Sequence, residues 1–139
     1  VVVTIADRYE TLATAVAAAY MNIPVAHVQG GEVTGSIDEK VRHAVTKLAD
    51  VHFVCSQGAA ERLIRMGEDS GHVYLTGCPS VDLAVETLRS PSLDFDPFER
   101  YGGVGEMLNF QDGYLVVMQH PVTTEYEQSR AHILETLHA

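Results

Sequence analysis

Four short apolar runs punctuate this chain, at Val1 to Ile5, Pro24 to Val28, Val51 to Cys55 and Val73 to Thr76. Each is short, with β-branched residues in most, and reads as a buried strand. Helix-forming segments separate them. Thr11 to Tyr20 is alanine-rich, which favours helix. Asp38 to Ala49 is amphipathic, with Val41, Ala44, Val45 and Leu48 on one face. Ser56 is placed to cap a helix through about Met66, with Gly67 ending it, and Ser80 to cap a short helix from Val81 to Leu88. Strands alternating with helices predict an α/β fold of doubly wound, parallel, Rossmann-like sheets.

The pattern changes after residue 88. Arg89 to Gly113 holds Pro91, Pro97, Gly102, Gly103 and Gly105 without a sustained period. It reads as a linker with one short helix near Phe98 to Tyr101. Tyr114 to Met118 reads as a fifth strand, ended by His120-Pro121. Thr123 or Thr124 is then the expected cap of a last helix, and Thr124 and Glu127 have capping-box spacing. Residues 1–88 are thus expected to finish one domain, 89–113 to link, and 114–139 to begin another. The chain opens on Val1 inside a strand-like run and stops in a helical pattern, so it reads as a piece of a longer protein.

Composition narrows the function classes. A formal charge of −10 over 139 residues argues against a nucleic-acid groove, which needs a basic footprint. It leaves room for a phosphate-bearing small molecule, because arginines and helix N-termini bind phosphate locally. No apolar run approaches the ~20 residues that span a bilayer, so no membrane partner is expected. Cys55 and Cys78 form no CxxC pattern, which suits a reducing cytoplasm. The histidines at 27, 43, 52, 72, 132 and 138 lack metal-ligand spacing, so no metal is expected.

The densest chemistry lies in His27 to Leu48, HVQGGEVTGSIDEKVRHAVTKL. A strand ends at Gly30-Gly31, and Glu32, Asp38, Glu39, Arg42 and His43 crowd the following helix start. Ligands of open α/β sheets collect at such carboxyl ends. Asp7-Arg8 occupies the same kind of position after the first strand: the carboxylate suits acid/base work and the guanidinium a phosphate. The plainer readings are a salt-bridged helix start with Asp7 as N-cap, a solvated Glu32, Asp38 as the cap of its helix, and a structural ion pair for Arg42 and His43. His120, at a strand end, suits phosphate binding or proton transfer; a structural histidine is the alternative.

These residues resemble the UDP-N-acetylglucosamine 2-epimerase family, and most closely its hydrolysing, sialic-acid-pathway branch. The matching pieces are ADRYETLA from Ala6, NIPVAHVQGGEVTGSIDEKVRHAVTKLA from Asn22, GCPSVD from Gly77 and QHPVTTEY from Gln119. The resemblance implies a two-domain GT-B-type enzyme, with residues 1–88 in the later part of its N-terminal domain and 114–139 opening the nucleotide-binding domain. It implies elimination of UDP from the sugar nucleotide followed by hydration, giving free N-acetylmannosamine. It puts catalytic carboxylates at Asp7 and Asp38 and UDP contacts at Arg8 and His120. Gln29, Arg42 and His43, crowded at the same strand exit and helix start, are further substrate-binding candidates. It also implies a homo-oligomer, dimer or tetramer, at full length, and no cofactor is expected.

Two positions depart from the family's pattern. Ala6 stands where relatives usually have Gly, and Gln29 where many carry a catalytic Glu. A neutral amide does not exchange a proton as a carboxylate does, so Glu32 is expected to supply the missing group while Gln29 orients substrate. Other readings are an epimerase acting on a diacetamido sugar carried by UDP or GDP, the non-hydrolysing epimerase, and a non-catalytic flavodoxin-like binding module.

Overall fold

The computed structural model describes residues 1–106, 109 and 112–139, in two compact units, Val1–Ser92 and Leu93–Ala139. In the first unit, β1 (Val2–Ile5), β2 (Val25–Val28), β3 (Val51–Val54) and β4 (Val73–Leu75) form one sheet in the order β1-β2-β3-β4, every pair parallel. The crossovers are α1 (Tyr9–Tyr20), α2 (Ile37–Leu48) and α3 (Gln57–Arg65), and α4 (Pro79–Arg89) follows β4. This is the parallel α/β architecture that the alternation requires. Because the strands step in one direction and such crossovers are right-handed, the three connecting helices share one face of the sheet.

Burial follows that geometry. Thr4, His27 and His52 lie side by side in register, and all three are buried, as is Val54 further along β3. The opposite face is open: Val3 and Ile5 are 62% and 58% exposed, and Tyr74 is exposed while stacked on Phe53. Leu63 of α3 has no exposed surface and packs with Val54, Ala59 and Ala60.

Several element starts differ from expectation. The cap of α2 is Ser36, not Asp38: its Oγ accepts from the Asp38 N–H at 3.2 Å. Ser36 and Glu39 have capping-box spacing, but the Glu39 carboxylate reaches further back, to the N–H groups of Thr34 and Gly35 at 3.0 and 2.8 Å. Helix α1 begins at Tyr9 with Arg8 at its N-cap position and no side-chain cap, so Asp7 is not a cap either. Helix α4 starts at Pro79 rather than after Ser80, because proline at the first helical position is already preset to helical φ. Ser56 caps α3 as expected, accepting from the Ala59 N–H at 3.2 Å.

The second unit departs further. Helix α5 (Pro97–Tyr101) is short and capped by Asp96, whose carboxylate accepts from the Phe98 and Glu99 N–H groups. Tyr114 to Met118, expected as a fifth strand, carries no regular structure and is exposed. A strand needs a hydrogen-bonded neighbour, and this unit contains no other strand among the described residues. The last helix, α6 (Ser129–His138), follows a 3-10 turn over Thr123–Gln128 that breaks at Glu125 (φ −128°, ψ 29°). The N-cap positions are Val122 and Gln128, neither with a side-chain cap, in place of the expected Thr124 cap and its capping box with Glu127; the side chain of Thr123 lies outside the described residues.

Candidate active site at the carboxyl ends of the strands

The parallel ladder runs one residue past β1, β2 and β4. The Ala6 N–H donates to Val28 O and that of Gln29 to Phe53 O, both at 2.9 Å, and that of Thr76 to Val54 O at 3.0 Å. At the first two exits the chain then turns sharply. Ala6 and Gln29 have φ of 58° and 64°, left-handed backbone that glycine adopts freely and other residues at a cost of ~1–2 kcal/mol. Such strain collects where the surroundings over-determine the backbone, commonly at functional sites.

The turn at Ala6 delivers Asp7 to the N-terminal half of α2. Asp7 Oδ2 accepts from Arg42 Nη2, an ion pair whose arginine is only 6% exposed. Leaving a buried guanidinium without its carboxylate would be strongly destabilising, so this pair ties the β1 exit to the second turn of α2. Arg42 Nε and Nη1 are buried and have no hydrogen-bond partner among the described residues.

Arg8 points outward and is held by its neighbour. Its Nε and Nη2 donate to the two oxygens of Glu10 at 3.2 and 3.0 Å. That fork pulls the exposed Glu10 carboxyl down to about 2 and raises the arginine. Asp38 is exposed, accepts from Ser36 Oγ at 3.0 Å, and lies near enough to add to the rise at Arg8. His43 Nε2 sits 4.0 Å from Glu39 Oε1, one helical turn away. The bonds from Gly35 and Thr34 hold the Glu39 carboxyl below its usual value.

At the next exit, Gln29 Nε2 donates to Cys78 Sγ at 3.7 Å, joining the ends of β2 and β4. Cys78 occupies the N-cap position of α4, where the Val81 and Ser80 N–H groups draw its thiol pKa down. Burial pushes Cys55, at the β3 exit, up to about 11, with Cys78 and the Glu32 charge adding to the rise. Glu32 therefore stands near Cys55, half-buried.

The glycine pair serves the protein's own packing. A Cβ on Gly31, at φ 81°, would lie 2.5 Å from Leu63 Cδ1 and 2.7 Å from Ala59 O. Its carbonyl accepts from Arg62 Nη1. Gly30 lies against His27 and Thr46. No cluster of three His, Cys, Asp or Glu side chains suited to a metal occurs among the described residues.

Asp7, Arg8, Gln29, Glu32, Asp38, Arg42 and His43 thus all belong to one end of the first sheet or to the helix start beside it. His120 lies in the second unit, exposed, in a segment without regular structure. Its neighbours Gln119 and Pro121 line a cleft of about 390 Å³ with Tyr126, Glu127, Ser129, Arg130 and Ile133. Sequence reasoning gave no weight to His27, Thr46 or Cys78. The last stands in the GCPSVD piece, at a strand exit, where it was legible.

Known proteins resemble this chain in sequence and in fold. The family profile described as UDP-N-acetylglucosamine 2-epimerase matches residues 1–139. The UDP-N,N'-diacetylbacillosamine 2-epimerase (hydrolyzing) of Legionella pneumophila is 36% identical over 139 residues, 100% of this chain and 35% of that protein. The UDP-N-acetylglucosamine 2-epimerase of Neisseria meningitidis is 40% identical over 120 residues, 86% of this chain and 29% of that protein. The chain therefore spans about a third of the length of the curated relatives it matches. Among solved structures, the Neisseria meningitidis UDP-GlcNAc 2-epimerase bound to UDP-GlcNAc is similar with a TM-score of 0.57 at 26% identity, covering 63% of this chain and 26% of that one. The S. aureus MnaA–UDP co-structure gives 0.59 at 28%, covering 71% and 28%. With residues 1–139 matched by the profile and GT-B-type epimerases as structural neighbours, the chain belongs to the UDP-N-acetylglucosamine 2-epimerase family.

Proposed function

We propose that the full-length protein is a hydrolysing 2-epimerase of UDP-N-acetylglucosamine, supplying N-acetylmannosamine for sialic-acid-type sugars. The observation that carries this reading is Asp7, fixed by a buried arginine at a strand exit in a chain matched throughout by the family profile. A base takes the C2 proton of the sugar, the C1–O bond breaks and UDP departs with the electron pair. Water then adds to the glycal, its hydroxyl to C1 and a proton to C2 from the opposite face.

Asp7, Glu32 and Asp38 share this proton traffic. One oxygen of Asp7 is committed to Arg42, which leaves the other to face the sugar. Arg8 and His120 hold the departing diphosphate, where charge develops. Gln29, Arg42 and His43 orient the substrate and its supporting groups. Its two free thiols suit a reducing cytoplasm, and the active form is a homo-oligomer.

The test is product analysis on the full-length protein. Release of free N-acetylmannosamine and UDP from UDP-N-acetylglucosamine supports the reading; exchange between two intact UDP-sugars defeats it. Asp7→Asn and Asp38→Asn are each expected to cut kcat by about 100-fold or more, as loss of a general acid or base does. Survival of turnover in both variants sinks the catalytic assignment and favours a binding module. A second substrate has its own support: the Legionella pneumophila relative, similar over the whole chain, is named for UDP-N,N'-diacetylbacillosamine. Parallel assays with UDP- and GDP-linked diacetamido sugars separate the two by kcat/KM.

A further inference from the structure

Asp7 follows a backbone turn that is fastened from within the core. Both backbone groups of Ala6 are engaged: its N–H donates to Val28 O at 2.9 Å, and its carbonyl lies 2.9 Å from His27 Nε2. That carbonyl belongs to the peptide plane leading into Asp7, so fixing it fixes where the aspartate begins. A carbonyl only accepts, so His27 Nε2 carries the proton. The other ring nitrogen, Nδ1, is then an acceptor, and Thr46 Oγ1, at 3.2 Å, donates to it.

The relay is enclosed. His27 and Thr46 have no exposed surface. A Cβ on Gly30 would lie 3.0 Å from His27 Nδ1 and 3.2 Å from Thr46 Oγ1, so the glycine leaves the ring its place. Burial pushes the imidazole down to about 4, which keeps it neutral and preserves the donor–acceptor order near neutral pH. An ordinary core histidine would also be satisfied by a carbonyl and a hydroxyl. What sets this one apart is the carbonyl it holds, that of a left-handed residue immediately before Asp7.

We propose that His27 is a positioning residue for Asp7, its ring held between the Ala6 carbonyl and the Thr46 hydroxyl, fixing the Ala6–Asp7 peptide so that the carboxylate meets Arg42 and the substrate in one orientation. The inference rests on the acid/base role assigned to Asp7 above.

The experiment uses the full-length protein with Thr46→Val, which conserves shape and removes the hydroxyl, and Thr46→Ser, which restores it. Thr46→Val is expected to lower kcat about 10- to 100-fold while KM changes little, as misplacement of a reacting group does. Thr46→Ser should recover most of that loss. Nitrogen-15 spectra of His27 should show a single Nε2–H tautomer in the parent, with the Nδ1 resonance moved in Thr46→Val as its hydrogen bond is lost. A folded Thr46→Val protein with parental kcat overturns the proposal, as does a loss that Thr46→Ser fails to rescue. If the parent releases UDP from no sugar nucleotide, the enzymatic reading has failed instead. The positioning is then judged by hydrogen exchange at the Ala6 amide, expected to quicken about tenfold in Thr46→Val; unchanged exchange overturns it.

Discussion

Residues 6, 29 and 32 carry the most local information about chemistry. Ala6 is the residue whose identity and conformation disagree: φ is 58°, yet a Cβ is present. Ala6→Gly relieves that strain but loosens the unfolded chain, and the two effects nearly offset. The expected outcome in urea melts is a change within about 1 kcal/mol, on the stabilising side. At residue 29 the amide is already engaged by Cys78, which suits an orienting group. If Glu32 carries the proton chemistry, Glu32→Gln lowers kcat about 100-fold or more, while Gln29→Glu leaves it within a few-fold. The reverse pattern in steady-state kinetics would return the role to residue 29.

Among the elements, α2 holds the site together. Its cap, Ser36, and its acid, Asp38, are two residues apart and hydrogen-bonded, so each is a possible source of the other's effect. Substitution separates them. Ser36→Ala loses a helix cap and is expected to cost about 1 kcal/mol of stability with kcat retained. Asp38→Asn should do the opposite, and paired melts and kinetics read both. The structure starts α2 at Ile37, one residue before the expected Asp38, and moves its cap two residues back, to Ser36. Ser36 won because its extended backbone places Oγ at the Asp38 N–H while Glu39 secures the preceding loop. The strand predicted at Tyr114 to Met118 failed for a different reason. Apolar β-branched composition makes a strand only where a partner strand supplies hydrogen bonds.

For the whole molecule, the pH dependence of stability follows from the buried ring row of the first unit. Burial lowers both His27, to about 4, and His52, whose Nε2 also meets Glu68 Oε2 at 3.2 Å. A histidine whose folded pKa is depressed binds its proton more readily in the unfolded chain. Its stabilising contribution is therefore complete above about 6.5 and is lost as pH falls towards 4. For His27 alone this amounts to about 3 kcal/mol, and His52 acts in the same direction. Denaturation midpoints should be flat from neutrality to about pH 8 and fall steadily between about pH 6.5 and 4. His27→Gln, folded, should flatten that slope.

The sequence by itself determined the alternation of strand and helix, the parallel sheet, and the strand exits where Asp7, Gln29 and Glu32 cluster. Those are consequences of local pattern: apolar runs of four or five residues, glycine pairs and polar helix starts. It did not determine who holds whom. Nothing in the linear chain says that Arg42 reaches back 35 positions to Asp7, or that Thr46 and Ala6 meet on opposite nitrogens of His27. Side-chain partnership depends on the register of β1 against β2 and on the seating of α2, which only the packed core fixes. A sequence shows which groups can donate and accept; burial decides which of them must, because a polar group withdrawn from water is costly until it finds its partner.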